Sequence, residues 1–126
     1  MSKSLGTGID PLELIEKYGA DATRFGIIWQ AMGTQDIHWD ETAVQAGKKF
    51  ANKLWNIARF VLQKTESSQH SHPVSHRPED QEILEKLKQL EKEIEKDMPG
   101  YEFGPALHKI YDFVWHEFAD KYIELS

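Results

Sequence analysis

The chain contains no cysteine. Disulfides, thiolate nucleophiles and cysteine-ligated metals are excluded, and the composition suits a reducing compartment such as the cytoplasm. No apolar run approaches the roughly 18 residues that a membrane-spanning helix needs. The opening residues lack the charged-then-apolar pattern of a secretory leader. Positive charge is in the minority, with 15 Lys and Arg against 21 Asp and Glu and a net charge of −6. Dedicated nucleic-acid binders are usually basic, so any such role must sit in a local patch. Internal repeats are absent, as is the alternation of apolar and polar residues that marks strands.

What is present is helical patterning. A chain of 126 residues, 40% hydrophobic and 29% charged, is long enough for one globular domain with a core. "DPLELIEKYG" offers Asp10 as an N-cap, Pro11 at the first helical position and Gly19 as a stop. A second helix is expected over 21–32, with Gly26 inside it as a point of close packing. The strongest periodicity runs through "DETAVQAGKKFANKLWNIARFVLQK", where Ala43, Ala46, Gly47, Phe50, Ala51, Leu54, Ala58, Val61 and Leu62 share a stripe. Its small residues imply a neighbouring helix at short range. The Ser- and His-rich segment 63–78 reads as a linker. Ile83, Leu87, Leu90 and Ile94, spaced 4, 3 and 4 between Glu and Lys, form a narrow seam for a partner helix. A last helix from Pro105 aligns Leu107, Ile110, Val114, Phe118 and Tyr122. The expected fold is all-α, a bundle of five helices.

Four groups of residues invite a chemical role. "MSKSLGTG" places Lys3 between Ser2 and Ser4 ahead of two glycines, a combination of cation, hydroxyls and open backbone that suits polyphosphate. It lacks the spacing of a Walker A loop, and composition alone reads as a solvated terminus. The long third helix carries Lys49, Lys53 and Asn56 in one row and Asn52, Arg59 and Gln63 in the next, with Lys48 nearby. Cations there would meet phosphates and amides would meet base edges or 2′-hydroxyls; an ordinary solvated face is the plainer alternative. His70, His72 and His76 are imidazoles in metal-like density, but no carboxylate lies within the run. They are expected to be mobile linker, and no metal is expected. Of the four tryptophans, Trp29, Trp55 and Trp115 are expected to pack in or near the core. Trp39 falls in a loop, where it could stack on a base but is also expected to pack.

"MSKSLGTGIDPLELIEKYGADATRF" resembles the signature region of the class I aminoacyl-tRNA synthetases. The matching residues are Met1 to Ser4 of a KMSKS loop, Leu5, Gly6, Ile9 to Pro11, Ile15 to Asp21, Arg24 and Phe25. "QDIHWDE", "FANKLWNIARFVL" and "YDFVWHEFADKYIELS" are similar to the valyl (valine–tRNA ligase) group of that family. The sequence departs from the pattern in lacking the first Lys of KMSKS and in carrying Thr7 where Asn is common. It contains no HIGH motif, since His108 stands in "ALHKI". Nor is there a nucleotide-binding α/β pattern.

The resemblance implies a segment of a longer enzyme, running from the KMSKS loop through a stem-contact region (1–39) into part of an anticodon-binding bundle (40–126). It implies a parent that activates valine with ATP and magnesium and charges tRNA(Val). Ser2, Lys3 and Ser4 would contact ATP, and Lys3 would stabilise charge on its phosphates. Lys48, Lys49, Asn52, Lys53, Asn56 and Arg59 would contact tRNA. An isoleucyl or leucyl parent remains the alternative within the family. A stand-alone RNA-binding or assembly module is the alternative outside it, with self-association through exposed helix faces. The isolated chain is expected to be inactive and to hold no cofactor.

Overall fold

The computed structural model describes residues 8–33, 37, 39–66 and 77–124, and every regular element in them is helical. Helix α1 (Pro11–Tyr18) begins as its capping residues dictate: the Asp10 carboxylate accepts a hydrogen bond from the Leu12 N–H at 2.9 Å. Gly19 ends it at φ 94°, in the region that a side chain disfavours, and donates its N–H to the Ile15 carbonyl at 2.8 Å. Helix α2 (Ala20–Gln30) follows at once, starting one residue before the expected 21–32 and stopping two residues short of it. Asp40 then opens the 26-residue α3 (Glu41–Glu66), accepting from the Thr42 N–H at 2.9 Å and from its hydroxyl at 2.6 Å. Helix α3 persists to Glu66 and Pro78 is already the first residue of α4 (Pro78–Asp97). The expected linker at 63–78 is therefore helical at both ends, and 67–76 lies outside the described residues.

A 3₁₀ turn at Met98–Gly100 reverses the chain. Helix α5 (Phe103–Asp112) begins two residues before the expected Pro105 and continues unbroken as a π-helix over Phe113–Ile123. The expected face is not the buried one, and from Phe113 the wider winding shifts it further. Leu107, Ile110, Val114, Phe118 and Tyr122 are all only half-buried, while Gly104, Ala106 and Ala119 are the buried positions of this rod.

The tightest crossing is between α2 and α3, and it is built on two reciprocal glycines. A Cβ on Gly26 would lie 2.6 Å from Val44 Cγ2, and one on Gly47 would lie 2.7 Å from the Phe25 ring. Gly26 is thus the close-packing point its sequence context implies. Gly104 brings α5 against the end of α2, where a Cβ would run into the Ala31 carbonyl oxygen. Leu14, Ala22, Ala43, Val44, Phe50, Ala106 and Ala119 form the buried core. Beside it lies an aromatic layer from three helices: Trp29 stacks on His108 at 3.6 Å, Phe25 on Trp29 at 5.2 Å, and Tyr111 on Trp115 at 5.4 Å. The His108 ring nitrogen also lies 3.0 Å from the Trp29 carbonyl, a structural tie for the histidine outside any HIGH motif.

Helix α4 lies across α5 and the π-helix, and none of its residues is fully buried. The seam of Ile83, Leu90 and Ile94 is half-covered, while Leu87 stays exposed. Polar ties complete the contact: Lys86 to Glu117 at 2.6 Å, Tyr122 to Asp80 at 2.8 Å and Lys109 to Asp97 at 2.7 Å.

Candidate nucleic-acid interface

Helix α3 positions the candidate site. Its first half is clamped by α2, where Ala43, Val44, Gly47 and Phe50 are buried. Past Phe50 only Lys53 and Ile57 are even half-buried, so its second half projects with most of its surface in water. Between Glu41 and Glu66 the helix carries Lys48, Lys49, Lys53, Arg59 and Lys64 and not one carboxylate. Five cations without an acid, in a chain of net charge −6, is a strong local segregation. The carboxylate at the head of the run is occupied. Glu41 accepts hydrogen bonds from Lys17 at 2.7 Å and from the Tyr18 hydroxyl, and these hold its carboxyl below the usual carboxylate range.

The structure divides the predicted residues into two groups. Lys49, Asn52, Lys53 and Asn56 line a groove of about 460 Å³ between α3 and the π-helix, walled by Phe60, Trp115 and Ile123. Lys48 and Arg59 stand on the outer face, with Asn52 at the boundary. Among the described residues Lys48, Lys49 and Arg59 have no ion-pair partner. Lys53 does: its ammonium donates to Asp120 at 2.8 Å and sits 4.4 Å above the Trp115 ring. A cation engaged on two sides is less available to a phosphate than its helical row implies. The partner, 67 residues away, is out of reach of any spacing argument.

Sequence spacing also misplaced Trp55. It was expected near the core and is 70% exposed, on the outer face with Lys48, Asn52 and Arg59. The four residues follow one another at spacings of 4, 3 and 4, the repeat of one helix face. The acid-free run from 42 to 65 is the signal that marks this face, whatever the apolar periodicity says of the other side. Trp29 and Trp115 pack as expected, and Trp39 is half-buried.

Ser2, Lys3 and Ser4, and His70, His72 and His76, lie outside the described residues. Among those described, no cluster of His, Cys, Asp and Glu has the makings of a metal site, and no helix is long and apolar enough to cross a membrane.

Comparison with known proteins accounts for both ends of the chain. Residues 1–40 match the model of class I tRNA synthetases (I, L, M and V), and residues 80–126 match the anticodon-binding domain of tRNA ligases. The valine–tRNA ligase of Clostridium tetani is 44% identical over 129 residues, covering 100% of this chain and 15% of its own length. That of Thermotoga maritima is 44% identical, with 100% and 15% covered, and that of Aquifex aeolicus is 40% identical, with 100% and 11% covered. The chain therefore spans only a small part of these relatives. In structure it is similar to the LeuRS chain of a ternary complex with tRNA and LeuAMS from Agrobacterium radiobacter K84, with a TM-score of 0.75 and 23% identity over 93% of this chain and 16% of that one. At that identity the likeness concerns the fold. The two family matches fall in chain order on one helical body, and the chain belongs to the class I tRNA synthetases, as a stretch similar throughout to valine–tRNA ligases.

Proposed function

We propose that this chain is a tRNA-holding helical part of a valine–tRNA ligase. The observation that carries the reading is the exposed, acid-free face of α3, with Lys48, Lys49 and Arg59 unpaired among the described residues and Asn52 and Asn56 between them. Cations supply affinity by displacing counterions from phosphates, and amides supply contacts to base edges and 2′-hydroxyls. Lys53 lies in the groove with Lys49, Asn52 and Asn56 and works from its pair with Asp120, by fixing the groove wall.

The parent enzyme would work in the cytoplasm and use ATP with magnesium to activate valine. The valine carboxylate would attack the α-phosphate, pyrophosphate would leave, and the valyl group would pass from the adenylate to a hydroxyl at the 3′ end of tRNA(Val), releasing AMP. Ser2, Lys3 and Ser4 would serve the first step, Lys3 by stabilising charge on the phosphates. The division at 39/40 would separate the part that carries this loop from the part that holds the anticodon arm.

The test is binding of the full chain to a tRNA(Val) transcript from 50 to 200 mM salt, beside tRNA(Ile) and tRNA(Leu) transcripts. Affinity is expected to fall linearly on logarithmic axes. Lys48→Gln, Lys49→Gln and Arg59→Gln should each lower the slope by about 0.7–0.9. Absence of binding at 50 mM, or a slope insensitive to these substitutions, would overturn the proposal. Preference for another transcript would move the parent to the isoleucyl or leucyl group. A second reading, association through helix faces, draws on Leu54, Val61 and Leu62, which are 42%, 38% and 60% exposed on α3. Sedimentation as a monomer at high concentration would remove it.

A further inference from the structure

Charge explains why α3 would meet RNA, but it does not explain Trp55. The half-buried Trp29 and Trp115 are stacked within the aromatic layer. Trp55 is 70% exposed, and among the described residues no ring or cation lies against it. Its neighbours on the face are Lys48 seven residues before, Asn52 three before and Arg59 four after. At 1.5 Å per residue the two cations stand about 10 Å and about 6 Å along the axis, on opposite sides of the ring. An open indole between two unpaired cations, with an amide beside it, combines the two elements of single-strand recognition: a surface for a base and charges for the flanking phosphates.

We propose that Trp55 is a stacking platform for an unpaired RNA base, with Lys48 and Arg59 holding the phosphates on either side of that nucleotide. The proposal rests on the tRNA-holding reading above and adds the kind of nucleotide that the face takes. Bases within a duplex are stacked on their own neighbours, so the ligand is a loop, bulge or single-stranded end. Charge complementarity favours RNA over a protein helix as the occupant. Of the exposed aliphatic residues that a helix would seek, Leu54 and Val61 lie on the adjoining side of α3, and Leu62, seven residues after Trp55, shares its face only beyond Arg59.

The experiment uses the full chain with labelled tRNA(Val), an unstructured oligouridylate and a blunt RNA duplex. Trp55→Ala is expected to weaken binding to tRNA and oligouridylate by about 5- to 100-fold while leaving duplex binding and the salt slope unchanged. Trp55→Phe should recover most of the affinity and Trp55→Leu should not. Quenching of tryptophan emission by oligouridylate should disappear in Trp55→Phe. Because the side chain is exposed, all three variants should keep the wild-type melting temperature. Wild-type binding that is indifferent to Trp55→Ala would overturn the stacking and leave the tRNA-holding reading intact. Recovery by Leu equal to that by Phe, or an altered sedimentation of Trp55→Ala with unaltered RNA affinity, would overturn it in favour of a protein contact. Loss of salt-dependent RNA binding in the wild type itself would end both.

Discussion

Gly26 and Gly47 set the distance between α2 and α3, because each accepts a side chain of the other helix where its own Cβ would be. Alanine normally improves a helix interior by about 1 kcal/mol over glycine. Here the added carbon meets Val44 backbone atoms at 2.9 Å or the Phe25 side chain at 2.7–2.9 Å, and neither can move without opening the crossing. Gly26→Ala and Gly47→Ala should therefore destabilise by about 1–3 kcal/mol, whereas Gly100→Ala, with only Glu102 Cγ at 3.7 Å, should change the melting temperature little. At the same scale, Glu117 couples three helical positions. Hydrogen bonds from Lys121 and then Lys86 hold its carboxyl down from the ordinary 4.5 to about 2. A depressed folded-state value gives stability that is present above the unfolded value and lost as pH falls toward the folded one. Thermal melts should thus show wild type ahead of Glu117→Gln at pH 6, with the gap closing between about pH 4.5 and 2. A gap that persists at pH 2 would show that the residue acts through packing.

Helix α3 is one element with two environments. Residues 43–50 face α2, while from 54 onward the same apolar stripe has little over it. Amide exchange should register the difference: protection is expected to be highest around 43–50 and to fall steadily toward 66, and uniform protection along the helix would contradict it. The element scale also shows what was legible. Caps are local chemistry, so Asp10, Pro11 and Gly19 marked α1 to the residue. The lone Gly26 inside α2 and the small residues in the first half of α3 each foretold a close crossing, and the two meet in one. The π-helix was not legible, because an apolar pattern compatible with 3.6 residues per turn does not exclude wider winding. On the candidate site, residue types and rows were readable from α3 alone. Two facts were not. Lys53 is tied to an aspartate on another helix, and Trp55 is 70% exposed, with no ring or cation against it among the described residues; neither follows from the spacing within α3.

For the whole molecule, charge is sorted by helix. Helix α4 concentrates carboxylates, with Glu79, Asp80, Glu82, Glu85, Glu91, Glu93, Glu95 and Asp97 against four lysines, while α3 has none between Glu41 and Glu66. A polyanion approaching such a body is repelled by one helix and drawn to the other, so the distribution would orient the encounter as well as strengthen it.

The aromatic layer unites chain segments that lie far apart in sequence. Phe25, Trp29 and Phe50 come before residue 67, and His108, Tyr111 and Trp115 come after residue 76. The layer is therefore a non-covalent bond between the two halves, made at the high effective concentration that a single chain provides. Two polypeptides, 1–66 and 77–126, co-expressed without that connection, should assemble into a one-to-one complex with the near-ultraviolet dichroism of the intact chain. Each alone should lack that signal, since neither possesses the whole stack. A Trp29→Ala change in the first piece should weaken the reunion, making the ring pair with His108 a measure of how the two halves of the protein find each other.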